Sequence, residues 1–300
     1  MQKLLIVGCG DIARRILPRL LGHYRVFALV RDPEQRAIWR ERGARPLVAD
    51  LDRPTSLHRL AGLADVILHL APPASDGPTP FGEQRDSRTR RLLAALARGR
   101  SLPQRIVYIS TSGVYGDRAG ARIDETCAPR PTTARACRRC DAERQLRLLG
   151  QRGVVVTILR APGIYAADRL PIERLRRKTP ALRDEDDVYS NHIHADDLAM
   201  LTCAALRRGR SNRAYNAVDD SEIKMGGYFD LVADRFGLPR APRLSRHEAQ
   251  QQLPPLQLSF MSESRRLLNQ RIKKEFKAKL RYPRVEDGIA AAWDERNISC

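Results

Sequence analysis

The chain has 300 residues, 42% of them apolar, enough for one large α/β domain or for one domain with a smaller appended lobe. No run of 18 apolar residues occurs, which argues against a membrane helix, and the opening Leu4-Leu5-Ile6-Val7 is too short and too quickly broken by Gly8-Cys9-Gly10 for a signal peptide, so a cytoplasmic protein is expected. The net charge is +19, but the basic residues are spread along the chain, aromatic content is 5%, and no RNP-like or zinc-finger pattern accompanies them. Nucleic acid is therefore a disfavoured partner; an arginine bias with a partly basic anion-binding cleft explains the charge more simply.

Apolar strand runs fall at residues 3–7, 25–30, 45–49, 65–70, 105–111 and 154–159. Helical spacing separates them at 11–21, 34–42, 55–60, 84–98 and 134–150, with Pro18 expected to kink the first helix. Continuous apolar strands alternating with helices predict a parallel sheet covered on both faces, and right-handed crossovers make it doubly wound. After Arg160 the pattern loosens. A polar connection over 165–190 precedes a helix at 194–207, a strand at 213–218 and a basic helix at 263–280. The expected architecture is a Rossmann-type α/β domain over 1–164. Residues 165–300 are expected to lend one or two strands to the sheet and to build a small substrate lobe over its carboxyl edge.

Six cysteines stand at 9, 127, 137, 140, 203 and 300. Only Cys137 and Cys140 form a CxxC pair. It lies in an Arg-rich helical stretch with no second pair nearby, so ordinary thiols and no metal site are expected.

Gly8-Cys9-Gly10-Asp11-Ile12-Ala13 is a GxGxxA motif that follows a predicted strand and opens a predicted helix. Gly8 permits the tight turn, Gly10 leaves room for a pyrophosphate, and Ala13 lets helix and strand approach. The N–H groups around Asp11 and Ile12 then face the anion. The plainer alternative is a strand–turn–helix with no ligand. An NAD site usually carries an acid about 20 residues on, at the end of the second strand. Here that strand ends Val30-Arg31, and Arg31 suits a 2′-phosphate, with Arg14 a second candidate. NADP is therefore preferred, with NAD still open. Asp32 blurs the choice, and a solvated surface charge is the other reading of Arg31.

Several motifs in order then resemble the extended short-chain dehydrogenase/reductase superfamily, in its NAD(P)-dependent epimerase/dehydratase group, over nearly the whole chain. The resemblance implies that Asp50 and Leu51 contact adenine and that Leu70, Ala71 and Pro72 lie beside the cofactor. Ser110-Thr111-Ser112-Gly113-Val114-Tyr115-Gly116 is similar to the active-site strand end. Asp124-Glu125 and Pro131 match the following loop. Arg160 to Tyr165 looks like the RPxxxY segment, with Pro162 and Ile164 next to the nicotinamide. His192 to Asp197 and Tyr215-Asn216 match later segments.

The chain departs from the family at the Tyr-xxx-Lys pair. Counting back from Glu143 puts Arg139 in the Lys place and Arg135 in the Tyr place, and arginine cannot give up a proton at neutral pH. This resembles an atypical bacterial branch that keeps the fold and cofactor site. Thr111 is expected to polarise a carbonyl and Arg139 to hold ribose or phosphate. Tyr165, or Tyr115, would stand in as acid, with plain packing the alternative for each tyrosine. His194, Asp196 and Asp197 read as a helix start. Arg174, Arg176, Arg177 and Lys178 read either as a site for a phosphorylated or nucleotide-linked substrate or as a solvated loop. The resemblance also implies a homodimer through helices 84–98 and 134–150. Two functions remain: an NADP-dependent oxidoreductase or epimerase-like enzyme with altered catalytic residues, and a non-catalytic NADP sensor or regulator.

Overall fold

The structure, a computed structural model, describes residues 1–74 and 84–298, so Cys300 lies outside the described residues. Strands β1 (Gln2–Val7), β2 (Tyr24–Val30), β3 (Arg45–Val48), β4 (Val66–His69) and β5 (Arg105–Thr111) alternate with α1 (Asp11–Leu20), α2 (Gln35–Glu41) and α3 (Ser87–Leu96). Then come the short β6 (Arg122–Ile123), α4 (Ala134–Gly150), β7 (Val155–Ala161) and β8 (Gly163–Tyr165). The strand Arg213–Asn216 pairs with the outer edge of β7. The main sheet has seven strands in the order Arg213–Asn216, β7, β5, β4, β1, β2, β3, and every pairing is parallel. This is the expected doubly wound sheet, and the second half lends it one strand.

The alternation of each strand builds two cores. Leu4 and Ile6 of β1 join Val107 and Ile109 of β5 on one face, beneath α1 and α6 (Ala195–Arg208). Leu5 and Val7, with Ile106 and Tyr108, face the other side beneath α3 and α4. A strand buried on both faces has no polar side to show, which is why these runs read as continuous apolar sequence. The segment between β8 and α6 holds α5 (Ile172–Arg176). Together with α7 (Met225–Arg235) and the helix Val285–Ile298 it forms a separate small core around Tyr165, Leu175, Phe229 and Val285.

Two local expectations change. α1 continues through Pro18, which sits on the exposed face, and Leu21 N–H still donates to Leu17 O at 3.3 Å. The basic stretch 263–280 is not one helix. Arg266–Leu267 pairs with β6 in parallel, and a helix begins only at Gln270 and ends at Phe276. Arg265, Leu267 and Asn269 are buried at alternate positions, a strand period that the charge run conceals. Among the described residues no helix is long and apolar enough to cross a membrane.

Candidate active site

A cleft of about 480 Å³ opens at the carboxyl ends of β1, β2 and β4. The two glycines of its loop do different jobs. Gly8 has φ +102°, and a β-carbon there would stand 2.4 Å from the amide nitrogen of Ala71. It is glycine because β1 and the exit of β4 touch at that point, where Leu70 and Ala71 both donate to Val7 O at 2.7 and 2.9 Å. Gly10 has an ordinary φ of −89°, and a β-carbon there would meet nothing within 4 Å. Its missing side chain leaves open cleft rather than easing the fold. Gly10 is also the N-cap of α1 and supplies no side-chain cap, so the first N–H groups of the helix face the cleft free. An uncapped helix start above empty space fits a pyrophosphate.

The remaining expected cofactor residues divide. Ile12, Arg31, Asp50, Leu51, Leu70, Ala71 and Pro72 line this cleft with Gly8, Gly10 and Asp11. Asp11 accepts from Arg15 Nε at 2.9 Å and pairs with Arg169 at 3.3 Å. Asp32 accepts the Glu34 N–H at 3.0 Å, so its carboxylate closes the turn after β2. Arg31 is exposed on the wall and makes no hydrogen bond or ion pair with any described residue. Arg14 does not line the cleft. Arg88, which the sequence reading passed over, does. It grips Asp52 with two nitrogens and donates to Pro72 O at 3.1 Å, and its hydrogen bond holds the Asp52 carboxyl below its usual range. Nothing in the pattern separates Arg88 from the neighbouring Arg85, Arg90 and Arg91.

A second cleft, of about 400 Å³, lies beyond the end of β5 and shares Arg169 with the first. Thr111, Pro162, Ile164, the ring of Tyr165, Arg135 and His192 line it. Thr111 Oγ1 accepts the Gly113 N–H at 3.2 Å, which leaves the hydroxyl hydrogen free to donate. Arg135 is exposed, and its guanidinium lies 4.6 Å from the centre of the Phe260 ring.

The other expected site residues are placed elsewhere. Arg139 lines neither cleft; it donates to Ile109 O at 2.8 Å and to the Tyr108 hydroxyl at 3.1 Å. Ser110 is buried and donates to Glu143 at 2.7 Å. Tyr115 is fully buried, lines neither cleft, and donates to Asn216 Oδ1 at 2.8 Å. The Tyr165 hydroxyl points out of the cleft. It donates to Arg284 O at 3.4 Å, and a β-carbon on Gly288 would stand 2.5 Å from its oxygen. Burial raises its pKa further, so it keeps its proton. The basic run is off the cleft too: Arg174 donates to Pro180 O at 2.6 Å and Arg176 pairs with Glu173.

The histidine segment takes an unforeseen form. His194 is itself the N-cap of α6, accepting the Asp196 N–H at 3.2 Å. The two aspartates act elsewhere. Asp196 pairs with Arg15 at 2.6 Å, and Asp197 accepts the N–H groups of Arg281 and Tyr282. His192 is 6% exposed, its Nδ1 has no hydrogen-bond partner among the described residues, and burial pulls its pKa down to about 4. His192 and His194 are both buried. Among the described residues no group of three or more His, Cys, Asp or Glu side chains is placed to hold a metal, and Cys9, Cys127, Cys137, Cys140 and Cys203 are free thiols.

Comparison with known proteins agrees with this layout. The sequence model of the NAD dependent epimerase/dehydratase family matches residues 4–217. A 4-hydroxy-2-methyl-3-oxo-4-farnesyl-3,4-dihydroquinoline-1-oxide ketoreductase of Stigmatella aurantiaca is 25% identical over 249 residues, 79% of this chain and 74% of that protein. A functionally unknown conserved protein of Silicibacter pomeroyi superposes with a TM-score of 0.77 at 27% identity, covering 99% of both chains. The UDP-glucose 4-epimerase of Thermotoga maritima, solved with UDP-glucose, superposes at 0.79 with 18% identity over 100% of this chain and 99% of that one; it shares the fold. The expected resemblance therefore holds, and with it a nicotinamide dinucleotide cofactor and an oxidoreductase or epimerase-like role. The glycine loop, the strand order and the matched residues lead to one conclusion: this chain belongs to the NAD dependent epimerase/dehydratase family.

Proposed function

We propose that the chain is an NADP-dependent oxidoreductase for a small carbonyl or alcohol substrate, with Thr111 as the hydroxyl that meets the reacting oxygen. One observation carries this. The uncapped α1 cleft and the Thr111 cleft adjoin at Arg169, and Thr111 offers the second cleft a free hydroxyl hydrogen. The dinucleotide, when bound, supplies or accepts the hydride. Gly10 and the first N–H groups of α1 would hold its pyrophosphate, and Asp50, Leu51, Leu70, Ala71 and Pro72 would line the way. Arg31, which makes no ion pair among the described residues at the end of β2, is the reason to prefer NADP, because a guanidinium takes a phosphate bidentately.

The remaining chemistry belongs to the chain. Thr111 donates a hydrogen bond to the substrate oxygen but is too weak an acid to release its proton. Arg135 brings a permanent positive charge to the same cleft, which stabilises an oxyanion without protonating it. With arginine in both the Tyr and the Lys places of the family, the proton comes from water, without the positioned acid that is typically worth about 10²–10⁴-fold. Slow oxidoreduction fits this set better than epimerisation or dehydration, which need a strong base.

The second reading, a non-catalytic NADP sensor, is favoured by Arg139, whose bonds to Tyr108 and Ile109 keep it out of both clefts. The deciding experiment measures NADPH and NADH binding and then turnover on a carbonyl panel. Arg31→Ala should weaken NADPH by about 1.5–3 kcal/mol, the value of a hydrogen bond to a charged group, and spare NADH. Equal losses for both cofactors would remove the case for NADP. Firm NADPH binding with no turnover would favour the sensor.

A further inference from the structure

The Thr111 cleft is unusual in what it collects. Of the chain's 8 tyrosines and 6 phenylalanines, Tyr165, Tyr189, Tyr228, Phe229 and Phe260 line this one cavity. Phe260 is 49% exposed, a large apolar ring still open to solvent on one side beside Arg135. His192 stands among these rings. Its imidazole lies 4.4 Å from the Tyr228 ring at a 35° tilt, and 6.3 Å edge-on from Tyr165. The imidazole is buried and uncharged, so it carries one donor and one acceptor, and its Nδ1 is sealed from solvent with no partner among the described residues. Nε2, the nitrogen that is not sealed, is the one able to meet a ligand group in the cavity that His192 lines.

The charged groups around the cleft argue about what that ligand is. Arg265 is consumed by Gly116 O at 2.7 Å and Glu263 at 2.8 Å, and Arg169 pairs with Asp11. Arg135 has no anionic partner among the described residues, but its guanidinium already covers Phe260. Glu263 also lines the cavity, its charge balanced by Arg265 and its other oxygen taken by Thr132 at 2.7 Å. A diphosphate would find Arg135 as the one lining cation without an anionic partner among the described residues. A flat uncharged ring system would find aromatic walls and one hydrogen-bonding nitrogen.

We infer that the second cleft takes a neutral, planar aryl ketone, stacked among Tyr228, Tyr189 and Phe260 and hydrogen-bonded through a polar group to His192, in preference to a diphosphate-linked sugar. This deepens the oxidoreductase reading, on which it rests for the fate of the ketone. His192 is then a substrate-binding residue that the family's Tyr-xxx-Lys pattern does not reveal.

The test is calorimetric titration of the full chain saturated with NADP⁺, using α-tetralone as the bicyclic ketone and UDP-glucose as the competing class. NADP⁺ cannot reduce the ketone, so binding is read apart from turnover. α-Tetralone is expected to bind at least about tenfold more tightly than UDP-glucose. His192→Leu should weaken it about tenfold, the size of one net hydrogen bond, and His192→Gln should restore most of the loss. Should His192→Leu fail to fold, Phe260→Ala serves, since its ring is exposed; about threefold weaker ketone binding is expected from the lost stacking. Tighter binding of UDP-glucose, no binding of the ketone, or unchanged ketone affinity in these variants would overturn the inference. The oxidoreductase reading fails differently: bound α-tetralone would remain unreduced when NADPH replaces NADP⁺. If the chain does not bind NADP⁺ at all, that reading fails first and the same titrations are run on the free chain.

Discussion

Glu143→Leu should be among the most destabilising single changes in the active-site region. Glu143 on α4 and Arg160 on β7 are 4% and 2% exposed and form a two-pronged pair, with Nη2–Oε2 at 2.7 Å and Nε–Oε1 at 3.1 Å. Ser110 donates to the same carboxylate at 2.7 Å, so one side chain ties α4 to both β5 and β7. Burial alone would pull the Arg160 pKa down; the hydrogen bonds and charge of Glu143 more than offset this and hold it above normal. Removing Glu143 therefore leaves a buried cation that cannot shed its proton. The expected cost is about 3–5 kcal/mol, the range for breaking one side of a buried pair, a large share of the roughly 5–15 kcal/mol that stabilises a typical protein. Glu143→Leu with Arg160→Met strands no charge and should recover most of that loss. Urea unfolding followed by circular dichroism gives all three values. A single-variant loss under about 1 kcal/mol, or a double variant as unstable as the sum of the singles, would refute the reasoning.

Three further outcomes follow from the same structure. Gly10→Val should abolish NADPH binding in a protein of wild-type stability, because its side chain enters open cleft, whereas Gly8→Ala should cost stability by about 1–3 kcal/mol or more through its positive φ and its clash with Ala71; thermal melts with and without NADPH separate the two. Thr111→Ala should remove whatever turnover the wild type shows while leaving NADPH affinity within about 1 kcal/mol, and untouched turnover would mean the reacting oxygen lies elsewhere. His192 has a folded pKa of about 4 against 6.5 unfolded, so the unfolded chain takes the proton first. The stability it supplies is complete above pH 6.5 and is lost as pH falls towards 4, on the order of 3 kcal/mol in all. Stability curves of His192→Phe should be flatter over that window, and an unchanged slope would count against a neutral buried imidazole.

What could be read from the sequence and what could not divide along one physical line. Hydrophobic period locates an element and its buried face, so β1, β5, β7 and α4 were legible almost to the residue. The same signal says nothing about where a long polar side chain goes once its helix is placed. Counting along α4 put Arg139 correctly one turn before Glu143, yet its guanidinium takes the carbonyl of Ile109 and the hydroxyl of Tyr108 instead of reaching a cleft. Tyr165 is similar: it lines the second cleft, but its hydroxyl turns to Arg284. The stretch 263–280 failed for the converse reason. The run of charges reads as a basic helix, whereas Arg265 and Asn269 are buried polar groups on a strand period, held by Gly116 O and by the carbonyls of Val218 and Asp219. In each case a polar residue is inside because a specific partner compensates its burial, and such partners are remote in sequence. His192 is the informative exception. Its sealed Nδ1 has no partner among the described residues, so its burial is compensated by no group there, and nothing in the hydrophobic period marks it.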